Sequence, residues 1–119
     1  MNNLDIKAII DSHKSFSQER NWDQFHSIKN LCMALSVETS ELVEIFQWLN
    51  EEQANRAPQN LATKGKVEEE IADILIYLLR IADKFELDLN KACVAKMAKN
   101  REKYPIDKSF DNAKKYTEF

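Results

Sequence analysis

The stretch EEEIADILIYLLRIA, running from Glu68 to Ala82, decides how this chain folds. Asp73 is its only acid between Glu70 and Arg80, set among Ile71, Ile74, Leu75, Ile76, Leu78, Leu79 and Ile81. A helix this apolar on nearly every side belongs in the middle of a bundle. A carboxylate there is costly unless a cation meets it. Upstream, Glu38-Thr-Ser-Glu41 places two more carboxylates one helical turn apart, where the periodicity asks for apolar side chains. Two such pairs invite a metal site.

Working outward, 119 residues suit one domain with a real core, so residues 1–119 are read as a single domain. One glycine, two prolines and few β-branched runs predict an all-α chain. A net charge of -3 argues against a nucleic-acid polymer as partner, because a duplex binder shows a basic face. Small anions carried on metal ions remain open. Cys32 and Cys93 lie far apart without metal-ligand spacing and are expected to be buried free thiols in a reducing compartment. The polar opening MNNLDIK, and the lack of any apolar run near the roughly 18 residues of a membrane span, predict a soluble cytoplasmic protein with no membrane partner.

In chain order, residues 4–20 put Ile6, Ile9, Ile10, His13 and Phe16 on one helical stripe. His13 is there either a satisfied core residue or a ligand or substrate contact. Asn21-Trp-Asp-Gln-Phe-His26 breaks the pattern, and its rings either line a pocket or plug the end of the bundle. Ser27 is the expected N-cap of a second helix reaching about Leu49, with Leu31, Ala34, Leu35, Glu38, Glu41, Leu42 and Ile45 inward and Glu44 solvated. The polar run 50–60, with Pro58, reads as a linker inside the domain. A third helix begins between Leu61 and Val67 and reaches about Phe85, with Val67, Glu70, Ile71, Ile74, Leu78 and Ile81 facing inward. Asp88 caps a fourth, whose stripe is Leu89, Cys93, Met97 and Tyr104, and Pro105 ends it. The aromatic tail from Ile106 to Phe119 docks on the bundle or on another subunit.

The spacing selects the metal. Residues i and i+3 share a helix face, so Glu38 with Glu41, and Glu70 with Asp73, can each chelate one centre. Four converging carboxylates repel and take up protons unless divalent cations neutralise them. Hard oxygen donors without Cys or His favour magnesium or manganese. A di-iron bundle needs Glu-x-x-His on two helices, and neither pair supplies it. The competing reading is that these acids are solvated surface residues, or ion-paired with Lys96 or Arg101.

ExxE at Glu38–Glu41, followed after about thirty residues by ExxD at Glu70–Asp73, resembles the MazG-like all-α nucleoside triphosphate pyrophosphohydrolases. ERNWDQFH, ETSELVEIFQW, EEEIADILIYL, KMAKNREKYP and KKYTEF resemble the dCTP pyrophosphatase branch, in order and over most of the chain. The resemblance implies a four-helix bundle-like core, assembly as a homodimer or homotetramer, and hydrolysis of a nucleoside triphosphate to monophosphate and pyrophosphate, in the manner of nucleotide-pool house-cleaning. It puts Mg²⁺ on Glu38, Glu41, Glu70 and Asp73; one acid then accepts the proton of water, expected to be Glu41, with Glu38 the alternative. It assigns substrate contacts to His13, Trp22, Trp48, Tyr77 and Asn100, with Lys96 on phosphate. His26, Lys29 and Arg101 also match family positions. The alternative is a non-catalytic nucleotide-sensing or helical interaction module that keeps the fold.

Overall fold

The computed structural model describes residues 3–119. They are helical throughout, and among the described residues there is no strand. Contacts divide the chain into two compact units, one ending at Phe85 and one beginning at Glu86. Each is taken by itself.

The first unit contains helices α1 (Ile6–Glu19), α2 (Ile28–Phe46), α3 (Glu51–Arg56) and α4 (Leu61–Lys84), with short 3₁₀ turns at Asp23–Phe25 and Ala57–Gln59. The starts are set by side chains that accept otherwise unpaired backbone N–H groups. Asp5 accepts from Ala8, Ser27 from Asn30 at 3.2 Å and Asn60 from Thr63 at 3.1 Å. The polar run 50–60 is more ordered than a linker. Asn50 and Gln53 form a reciprocal capping box that starts α3, and the 3₁₀ turn after it buries Ala57.

α4 packs mainly on α2 and to a lesser extent on α1. Among the described residues the buried apolar side chains are few: Leu31 on α2, Leu79 and Ala82 on α4, and Ala57. This revises the inward line expected for α4. Val67, Glu70, Ile74 and Ile81 are half-buried, but Ile71 and Leu78 are exposed, and so is Asp73. Within this unit two neighbours cannot cover a helix that is apolar on most of its circumference. The buried positions near its end are Leu79, Arg80 and Ala82, where α1 joins α2 against it.

The second unit holds α5 (Leu89–Lys103), α6 (Ile106–Ser109) and a 3₁₀ turn at Tyr116–Glu118. Asp88 caps α5 through Lys91 N–H at 3.0 Å. The tail docks on the end of its own α5: Tyr104 meets Tyr116 and Phe119 edge-on, each at 5.9 Å between ring centres. Lys103 Nζ lies 4.8 Å above the Tyr116 ring. Both cysteines are free, as expected, but both are exposed.

Candidate active site

Residues Glu38 and Glu41 share a face of α2, and Glu70 meets them from α4. Ligand oxygens of all three lie within 4.8 Å of one another. Among the described residues, none of the four ion pairs involves these acids or Asp73. Glu38 Oε2 and Glu70 Oε2 are buried and have no hydrogen-bond partner. Burial first, then the close approach of the Glu70 and Glu41 carboxyls, then the charges of Glu41 and Asp73 push the Glu38 carboxyl up to about 7. Burial is also the leading cause that raises Glu70. Orphaned buried oxygens in an all-carboxylate cluster are what a hard divalent cation satisfies, so these residues fit magnesium or manganese. Asp73 is outside the three-oxygen group, yet close enough for its charge to act on Glu38.

Asp73 instead lines a cleft of about 390 Å³ with His13, Phe16, Trp22 and Tyr77, whose remaining walls are Ile9, Ser12 and Ile76. That volume falls in the range of small-molecule sites. Its ring wall comes from the way α1 ends. Trp22 N–H donates to Ser17 C=O at 2.8 Å and Asn21 N–H to Gln18 C=O at 3.1 Å. This is a Schellman closure with Asn21 at φ 55°, a left-handed conformation that asparagine tolerates. The turn carries the Trp22 ring back to Phe16, 5.6 Å away and edge-on.

His13 is the hub of the rings. It stacks on His26 at 5.4 Å and meets Tyr77 edge-on at 5.8 Å. His26 Nδ1 and Ser17 Oγ are 3.0 Å apart. Burial is the largest cause lowering His13 to about 4, and burial also lowers His26. Tyr77 is raised by burial and by the charges of Glu38 and Asp73, which places the acids beside the cleft. Glu41 and Glu70 also border a polar recess of about 460 Å³ with Thr63 and Lys66.

The structure therefore brings together His13, Trp22, Tyr77 and Asp73, with His26 behind His13. Trp48 follows the last turn of α2, is 86% exposed and is not among the residues that line this cleft. Lys96 and Asn100 lie one turn apart on α5 in the second unit, Lys96 exposed and Asn100 half-buried. Lys29 and Arg101 are exposed. Ser12 and Phe16 went unread as lining residues, the first because a serine outside a motif carries no signal, the second because its period matched a core stripe. Arg80, the lone cation in the apolar run, carries a signal in the sequence through that isolation alone.

A model of the MazG-like family matches residues 33–119, a span that takes in all four acids. The chain belongs to the MazG-like family. This MazG-like chain is 41% identical over 113 residues to dCTP pyrophosphatase 1 of Bos taurus, covering 95% of itself and 67% of that relative. It is 39% identical to the enzyme of that name from Rattus norvegicus and 38% to that from Homo sapiens, each over 95% of this chain and 66% of the relative. The chain thus spans about two thirds of the length of these curated relatives. Among solved structures, a pyrophosphatase from Archaeoglobus fulgidus superposes with a TM-score of 0.76 at 39% identity, covering 88% of the MazG-like chain and 96% of the other.

Proposed function

We propose that the MazG-like chain hydrolyses the bond between the α and β phosphates of a deoxynucleoside triphosphate, dCTP or a 5-modified dCTP, giving monophosphate and pyrophosphate. One observation carries the reading: carboxylates with orphaned buried oxygens stand beside an aromatic-walled cleft of nucleobase size. The names and identities of the relatives support the substrate.

In this reading Glu38, Glu41, Glu70 and Asp73 hold Mg²⁺, with Mn²⁺ the other hard cation that suits them. When bound, the cation supplies positive charge against the triphosphate and lowers the pKa of an attacking water. Glu38 and Glu70, whose buried oxygens lack any other partner, are committed to holding the ion. Glu41, which has no such orphaned buried oxygen, accepts the proton as the water oxygen bonds to phosphorus and the bridging P–O bond breaks. Trp22 and Tyr77 offer ring faces to the base and His13 a polar contact, with Asp73 linking base cleft and acids. His26 supports His13 from behind. Trp48 is a further proposed contact; for the second unit, taken by itself, Lys96 is proposed for phosphate and Asn100 for a base edge.

Residues 1–119 act as one catalytic domain in this proposal, assembled as a homodimer or homotetramer. Large exposed apolar side chains, Val43, Leu61 and Ile71 among them, support assembly. No helix among the described residues is long and apolar enough to cross a membrane. We place the protein in the cytoplasm, in nucleotide-pool house-cleaning, without a nucleic-acid polymer as partner.

The test is incubation with each deoxynucleoside triphosphate and magnesium, followed by mass spectrometry. Monophosphate and pyrophosphate are expected. Diphosphate with orthophosphate overturns the bond assignment, and binding without turnover favours the nucleotide-sensing module.

A further inference from the structure

Arg80 is 4% exposed, and among the described residues no carboxylate pairs with it. Its Nη1 instead sits 2.6 Å from Nδ1 of His13, across from α4 to α1. A guanidinium has five N–H donors, no acceptor, and stays protonated. The ring nitrogen it meets must therefore be the acceptor, which leaves the imidazole proton on Nε2. A protonated ring would set two N–H groups against each other and place a second cation beside a buried first one. His26, stacked on His13, adds no acid to relieve that repulsion. Nε2–H is then the one polar group that His13 has left to offer the cleft it lines.

We infer that Arg80 is a positioning residue that locks His13 as the neutral Nε2–H tautomer, so that the cleft presents a hydrogen-bond donor to an acceptor on the base, a ring carbonyl or an unprotonated ring nitrogen. The donor's role rests on the proposed nucleobase site; the tautomer does not. An imidazole free to exchange tautomers would present a donor or an acceptor with little preference. One clamped by a cation discriminates, because a base edge offering only N–H at that point leaves two donors facing each other. Arg80 Nε is buried without a partner, so among the described residues His13 Nδ1 is the one acceptor that the guanidinium meets.

The experiment uses the full chain with ¹⁵N-labelled histidine and two-bond ¹H–¹⁵N correlation at neutral pH, with no nucleotide present. His13 is expected to show an unprotonated Nδ1 and a protonated Nε2. A protonated Nδ1, or a cationic ring, overturns the inference whatever the substrate proves to be. Arg80→Lys keeps a donor-only cation and should preserve the pattern. Arg80→Met should release it, with KM for dCTP rising by about tenfold at most and kcat changing less, the size of one neutral hydrogen bond. A folded Arg80→Met protein with unchanged tautomer and KM also overturns it. If Arg80→Met does not fold, the wild-type protein decides: a dCTP analogue lacking the ring carbonyl oxygen should show a KM several-fold higher, and equal KM values overturn the donor role. Loss of all nucleotide turnover with the expected tautomer intact would count against the substrate and leave the clamp standing.

Discussion

Glu38 of α2 and Glu70 of α4 each bury a carboxylate oxygen that meets no donor, although both belong to one cluster no wider than 4.8 Å. Two acids on separate helices are thus held together with no basic side chain paired to either of them. The arrangement stores repulsion that a cation or a proton relieves.

Divalent cation should accordingly stabilise the fold. At a magnesium concentration 100 times its dissociation constant, linkage gives about 2.7 kcal/mol. Thermal melts with magnesium and with chelator should differ by several degrees, and Glu38→Gln combined with Glu70→Gln should abolish the difference. An unshifted wild-type melt would remove the metal site.

The same relief can come from protons, and its direction follows from the shifts. Glu38 rises from 4.5 to about 7, so the metal-free fold takes up a proton that the unfolded chain releases; that stability is present below pH 4.5 and lost as pH rises through about 7. His13 falls from 6.5 to about 4, which works oppositely: its contribution is present above pH 6.5 and lost as pH falls through about 4. The two overlap in the wild type, so the difference between Glu38→Gln and wild type isolates the acid. In chelator, melting temperature of the variant minus that of wild type should grow between pH 4.5 and 7, and magnesium should flatten the trend.

Asp73→Asn removes one negative charge from an exposed position, so helical circular dichroism should be unchanged. Activity should fall by about 100-fold or more, the scale at which perturbing a metal shell is felt. Full turnover in the variant would exclude Asp73 from the metal set.

Trp22→Ala takes away the ring that closes the cleft, while Trp48→Ala alters a side chain outside it. Stacking of a base on an aromatic ring contributes about 1–3 kcal/mol. Steady-state kinetics should therefore show KM raised at least about fivefold for the first variant, with the second changed less. The reverse order would mean that the cleft is not the base site.

Gly65 lies within α4 and an added Cβ would meet nothing within 4 Å. Gly65→Ala should stabilise the protein by about 0.5–1 kcal/mol through helix propensity alone, measured by denaturant melts. A loss of stability would indicate that this face of α4 is covered in solution.

Local signals were readable and neighbour-dependent ones were not. Ser27 and Asp88 cap where the sequence places them, because a cap needs only its own next turn. Glu38, Glu41 and Glu70 converge as their spacing demands. The capping box of Asn50 and Gln53 was equally local, and the polarity of its surroundings hid it. Burial of Ile71, Leu78 and the cysteines was misjudged, since apolar periodicity says which side of a helix prefers cover, not whether this unit supplies it.

Ser17, wholly buried, accepts the Trp22 N–H through its carbonyl and meets His26 through its hydroxyl. The wall of the cleft is consequently hung from main chain, while the Trp22 ring itself is only partly enclosed. Exchange of that indole for another planar group should leave the scaffold intact, making position 22 the natural place to retune which bases are admitted.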